Sequence, residues 1–379
     1  MKRPVRQFTQ ERLEHEVARS ARDFLVAFWN TRITSRELPP VRAAGLGLVP
    51  AWNDWVRVLE AWGGERLDRL RLSARADYGP PQAGQAATDL FVEAIRVNNP
   101  AFHATLTQGE VQRPVLLASA AALYEVRPHA VIEPTDALQT WLAQTDIGDD
   151  VPVSLFQLPM PAVFIRFGPE MARVVDPSLW ADVDREFTTS GVYIFETLVE
   201  GRRDLVFVAV GTTLEHDQEL PMSLQLCFAD MNDSLIDHVC RARRSLPDPR
   251  SSAIPMVQMC AKVLLYMQTA GAVRIDDLRQ HDAAARLVRA GNRKASKLER
   301  RLASRYNRII VGPAELIRYA ASEVAPHWRR GHLRMQAHGP QLSLRKLIFI
   351  APTLVRADRL HASDAGNHRF PDHDRSHPR

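Results

Sequence analysis

VPVSLFQLPMPAVFIRFG, residues 151–168, decides how the rest of the chain is read. Two short apolar runs meet at Pro159-Met160-Pro161, and neither alternates polar with apolar. A short run that is apolar on both faces is a strand with neither face in water. The reading is therefore of two buried strands joined at the Pro-Met-Pro turn. GVYIFETLVEG (191–201), RDLVFVAVG (203–211) and MSLQLCFAD (222–230) continue as a meander with turn residues between them. DSLIDHVCRARR (233–244) and AIPMVQMCAKVLLYMQT (253–269) then carry apolar residues at helical intervals and read as amphipathic helices. Strands in succession followed by helices predict an α+β fold, with a central antiparallel sheet backed by helices.

Upstream the pattern is helical. Leu13, Val17, Phe24 and Phe28 recur at helical spacing, as do Trp52, Trp55, Leu59 and Trp62, which form a stripe expected in the core. DYGPPQAGQA (77–86) reads as a surface linker, with further helical runs at 88–98 and 113–125. Four segments follow: a helical N-terminal region (1–145), an α+β core (150–275), a basic helix with a hairpin (276–356) and a tail (357–379). The tail lacks apolar periodicity and is expected to be disordered.

Composition narrows the function. At 379 residues, 45% hydrophobic and 25% charged, the chain has the makeup of a soluble globular protein. Three cysteines without a CxxC fit a reducing cytoplasm, and no apolar stretch is long enough to span a membrane. A glycine-rich nucleotide loop, a metal-ligand cluster and a nucleophile elbow are all missing, so neither metal nor cofactor is expected. The net charge of +5 is unevenly placed: residues 286–360 hold 17 basic and 4 acidic residues, and the remainder 32 basic and 40 acidic. Charge divided so sharply points to a polyanionic partner for the basic segment.

Within that segment Ala295, Leu298, Leu302, Tyr306 and Ile309 form one apolar helical stripe. Arg293, Lys297, Arg300, Arg301, Arg305 and Arg308 fill the other positions. Downstream, APHWRRGHLRMQAHGPQ (325–341) packs three histidines and three arginines with no acid. Read as a strand, Arg330, His332, Arg334, Gln336 and His338 share one face and Leu333, Met335 and Ala337 the other. RKLIFIAP (345–352) is the antiparallel return, with Ile348 and Ile350 assigned to the buried set alongside Leu333 and Met335. Arginine forks and imidazoles in a row suit phosphate, and Trp328, with Tyr306, offers rings for base stacking. This face is expected to bind RNA. Two other readings stay open. One is a metal-independent ribonuclease using His327, His332 and Arg334, since His332 and His338 lie some ~20 Å apart along a strand. The other is a protein–protein interaction module whose basic face is only solvated.

The same residues carry a resemblance. PHWRRGHLRMQAHGP…SLRKLIFIAPTLV, with LPMPAVFIRFG and SGVYIFETLVEG, resembles a phage and mobile-element family that includes the type V-A anti-CRISPR protein lowering effector-nuclease production. The family pattern of Arg-Gly-His-aromatic-Arg, a Gly-Pro turn and a strand ending in Ile-x-Pro falls on Arg330, Gly331, His332 and Arg334, on Gly339 and Pro340, and on Ile350 and Pro352. Leu333 stands where an aromatic is usual, and Phe349 where tryptophan is. An aromatic at the first of these would suit stacking on a base or a peptide. The resemblance implies a role coupled to translation or RNA: binding of RNA or of a ribosome–nascent-chain complex, including a peptide of a target protein.

Overall fold

Apolar residues run through 192–195 and 205–210 without a polar interruption. Neighbours in a strand point to opposite faces, so such runs need a sheet covered on both sides. The computed structural model contains one. It describes residues 107–181, 183, 186–199, 202–213, 219–228, 230–244, 253–277, 306–314 and 327–355, with 38–45, 100–105 and isolated positions before 100.

Seven strands order as β6-β5-β4-β3-β1-β8-β7. They are β1 (His129–Pro134), β3 (Ala162–Arg166), β4 (Phe187–Val199), β5 (Arg202–Thr213), β6 (Glu219–Cys227), β7 (Arg274–Asp277) and β8 (Arg308–Val311). β3 to β6 pair antiparallel in chain order; β4, β5 and β6 follow through turns, and a helix (Pro169–Leu179) joins β3 to β4. β1, however, lies parallel to both β3 and β8, so the sheet is mixed rather than wholly antiparallel. β1 comes from a stretch read as helical, whereas β8 falls in RIIVG (308–312), which the sequence places as a strand directly after the basic helix, with Arg308 and Ile309 in the strand rather than in the helix's last turn.

Of the two runs in 151–168 only the second is a strand. Val153–Leu155 is a single 3-10 turn, and Pro152 makes just one isolated bridge, to Ser234. Proline supplies no amide to a ladder, and three prolines (152, 159 and 161) interrupt this stretch.

The described helices are α1 (Pro39–Gly45), α2 (Gln108–Val126), α3 (Asp136–Ala143), α4 (Pro169–Leu179), α5 (Leu235–Arg244) and α6 (Ile254–Tyr266), with a single turn at Pro100–His103. Leu117, Ala120, Leu123 and Tyr124 of α2 cover one face of the sheet, over Val131, Phe164, Tyr193, Phe195, Val206 and Val208. The alternate residues Ile132, Val163, Ile165, Ile194 and Phe207 join a larger core with α3, α4 and α6. α6 was expected to be amphipathic, yet ten of its residues are buried, because α3, α4, α5 and a second sheet all pack on it.

That second sheet has the order β11-β10-β2, from β2 (Thr145–Ile147), β10 (Gly331–His338) and β11 (Leu344–Ile350). A two-stranded ribbon, β9 (His327–Arg329) with β12 (Thr353–Val355), adjoins it in sequence. Trp52 is buried as the N-terminal stripe requires, while Trp55, Leu59, Trp62, the 293–305 helix and the 357–379 tail lie outside the described residues.

Candidate functional site

Strand β10 has the alternation the sequence implies, and the position of its hairpin with β11 is fixed by close backbone approach. A Cβ on Gly331 would lie 2.6 Å from Thr145 Oγ1 and 2.7 Å from the Ile350 carbonyl. Only glycine lets β10 run between β2 and β11 there. The Gly331 amide donates to the Gln144 carbonyl (2.9 Å) and the Gly148 amide to the Leu333 carbonyl (2.7 Å). Gly339, at φ 77°, turns the chain into the return strand.

The inner face belongs to the main core. Leu333 is fully buried and Leu347 nearly so. Phe349 meets Tyr266 of α6 edge-on at 5.1 Å and lies 6.0 Å from Trp141 of α3. The outer face carries Arg330, His332, Arg334 and Gln336, all exposed, and half-buried His338. Antiparallel register pairs His332 with Ile350, Arg334 with Ile348, Gln336 with Lys346 and His338 with Leu344. Residues directly opposite each other share a face. Ile348 and Ile350 are therefore on the polar, outward side, not in the buried set with Leu333 and Met335, and Ile350 is 39% exposed.

The row is not free of acid. β2 runs parallel to β10 and sets Asp146 beside His332. Arg330 Nη1 donates to Asp146 Oδ2 at 3.0 Å, with both side chains about half exposed. Asp150 Oδ2 accepts the Met335 amide at 3.2 Å. An ion pair this exposed contributes at most about 1 kcal/mol, so a phosphate can compete with Asp146 for the guanidinium. These two carboxylates lie more than 180 residues from their partners, which no local pattern reveals.

Of the other expected site residues, Arg308 opens β8 and pairs with Asp277 (3.3 Å), in the large sheet rather than on the hairpin. Tyr306 donates its hydroxyl to Glu133 (2.6 Å) and packs against the core under α2. His327 and Trp328 are placed by backbone only, in β9 opposite Val355 and Leu354. Arg293, Lys297, Arg300, Arg301 and Arg305 lie outside the described residues. The structure thus gathers Arg330, His332, Arg334 and Gln336 with Asp146, Lys346, Ile348 and Ile350. Among the described residues, no three His, Cys, Asp or Glu side chains come together to hold a metal ion, and no helix is long and apolar enough to cross a membrane.

A family model for the anti-CRISPR type V subtype A2 family, AcrVA2-like, matches residues 132–357, more than half of the chain. The chain belongs to the AcrVA2-like family. The match starts inside β1 and ends just beyond β12, so it takes in the second sheet and all the strands of the first. A solved structure described as the crystal structure of AcrVA2 is similar at a TM-score of 0.44 and 14% identity, over 90% of this chain and 99% of that one. No curated protein matches. In this AcrVA2-like chain the two departures from the family pattern, Leu333 and Phe349, both point into the core.

Lys262 of α6 lies below the Arg330–Asp146 pair. Its Nζ donates to the Leu142 carbonyl (3.1 Å), and burial pushes its pKa down to about 8, with Asp146 opposing the shift and Arg330 adding to it. Unfolded, the ammonium regains its ordinary pKa near 10.5. Between these values the unfolded chain binds more protons, so Lys262 costs stability fully below pH 8 and the cost fades as pH rises to 10.5. Lys262→Met is therefore expected to stabilise the AcrVA2-like protein at pH 7 by roughly 1–3 kcal/mol. Denaturant titrations of both proteins at pH 7 and above pH 10 check this; a gain that does not shrink with pH would rule out the buried charge as its source.

Proposed function

We propose that this AcrVA2-like protein acts on gene expression by binding RNA, or a ribosome–nascent-chain complex, through the outward face of the β10–β11 hairpin. The observation that supports the reading is the row Arg330, His332, Arg334 and Gln336, exposed on a strand whose opposite side is anchored in the core through Leu333. A row held this way keeps its spacing, so phosphates meet preorganised donors rather than flexible side chains. Lys346 of β11 adds a cation to the same face. The protein's place in a phage or mobile element, and a cytoplasmic site of action, belong to this proposal.

Titration of a fluorescent single-stranded RNA at several salt concentrations tests it. Binding is expected to weaken steeply with salt as phosphate contacts release counterions, with a log–log slope of about −0.7 per contact. Arg330→Ala with Arg334→Ala is expected to reduce the steepness by about 1.4 and the affinity roughly tenfold at physiological salt. The pair is exposed, so the melting temperature should hold. Unchanged affinity and slope would remove the hairpin as the binding face. Arg300→Ala, Arg301→Ala and Arg305→Ala in the same titration ask whether the preceding basic segment shares the surface.

One observation favours a second reading. His332 beside Asp146, with Arg334 on the same face, is an imidazole, a carboxylate and a guanidinium of the kind metal-independent RNA cleavage uses. That reading requires cleavage in EDTA that His332→Ala abolishes while binding survives; RNA left intact by concentrated protein removes it.

A further inference from the structure

β11 is the outer strand of its sheet. β10 pairs along one side of it, and no described strand pairs along the other. Edge strands of soluble proteins are usually guarded by charge, proline or a bulge. Here the charges, Arg345 and Lys346, fall near one end. Of the six exposed large apolar side chains among the described residues, Leu344 (53%) and Ile350 (39%) belong to this strand, and Leu342 (63%) to the turn before it. Half-buried Ile348 lies between Leu344 and Ile350 on the same face. An open backbone edge beside an apolar row is the make-up of a strand-pairing surface.

We propose that β11 pairs antiparallel with β11 of a second copy of this chain, about a two-fold axis through Leu347. The sequence of the strand selects this partner and this register. Opposed residues share a face, so the axis passes through a residue rather than between two. Leu347 is the middle of Leu344–Ile350, the one centre that pairs all seven residues. It sets Leu344 against Ile350 of the other copy at both ends, and Lys346 against Ile348. On the inner side Arg345 falls opposite Phe349, and Leu347 opposite its own copy. No two like charges meet. An axis through Lys346 or through Arg345 would place that cation against itself, which is unfavourable.

The product is a six-stranded sheet with both outward faces on one side. The two β10 rows of arginine and histidine then lie three strand spacings apart, about 14 Å, with the apolar row between them. The dimer goes beyond the RNA reading and does not depend on it.

Sedimentation of the full-length protein from about 1 to 200 µM, the range in which a small interface is expected to titrate, tests the pairing without RNA. Wild type is expected to pass from monomer to dimer. Leu344→Glu or Ile350→Lys alone places a charge against an aliphatic side chain at both ends and should weaken the dimer tenfold or more. Together they should restore it, because each new carboxylate then faces a new ammonium on the other copy. Both positions are exposed, and the melting temperature of each variant is read alongside; should one fail to fold, the other carries the test. A wild type that stays monomeric throughout overturns the proposal. So does a dimer indifferent to both single changes, or a double variant that stays monomeric. RNA titration of the wild type is scored separately: a wild-type dimer that binds no RNA counts against the RNA face alone.

Discussion

Leu333→Ala is expected to destabilise the protein by about 2–5 kcal/mol, while Ile350→Ala, across the same hairpin, stays within about ±0.5 kcal/mol. The two residues are alike in size and occupy neighbouring strands. Leu333 is fully buried among α3, α6 and Phe349, where removing its isopropyl group leaves a cavity that packed neighbours fill only in part. Ile350 is outward and 39% exposed, so its truncation returns little area to water. Thermal and denaturant unfolding of both variants measures the contrast. A mild Leu333→Ala would mean that the hairpin is only loosely attached, and its outward row would then lose the fixed spacing on which phosphate recognition depends.

The same two residues mark the limit of what the sequence discloses. Alternation along 330–338 is local, so the polar and apolar faces of β10 are readable from one strand. The return strand LRKLIFI has apolar residues at five of seven positions. Its own pattern cannot say which of Leu347, Ile348, Phe349 and Ile350 face inward; only the register with β10 does, and that depends on the irregular turn at 339–343. Gln341 and Leu342 both adopt positive φ in this turn, a conformation no composition rule assigns to them.

The meander from β4 to β6 was legible because its runs are long, apolar and separated by turn residues. β1 was not. HAVIEP is six residues long and follows a 19-residue helix, so helical context outweighs it, and its partners β3 and β8 are parallel and far off in sequence. β2 has only three residues, too few for any periodicity, yet it brings Asp146 to the site. The basic row was therefore readable from the sequence, and the carboxylate that moderates it was not.

Gly331→Val is the harsher test of how the site is held. A Cβ at this position would stand 2.6 Å from Thr145 Oγ1, 2.7 Å from the Ile350 carbonyl and 2.7 Å from Pro352 Cδ. None of these can retreat easily. Thr145 is buried and its hydroxyl is committed to the Trp141 carbonyl at 2.7 Å, the Ile350 oxygen is backbone, and the proline ring is rigid. Overpacking by a single methyl typically costs about 1–3 kcal/mol, so Gly331→Ala should fall there and the branched valine above it. The displacement acts on β2 against β10, breaking the Gly331–Gln144 hydrogen bond and shifting Asp146 away from Arg330. Stability and any RNA binding are thus expected to fall together, unlike Arg330→Ala with Arg334→Ala, which is expected to weaken binding and spare the fold. Thr145→Ala takes away the nearest obstacle. Combined with Gly331→Ala it should cost less than the two single changes added, and a double-mutant cycle on unfolding free energies reads that coupling. Strict additivity would show that the two strands do not touch here, and a wild-type melting temperature in Gly331→Ala would show that glycine is not needed for them to meet.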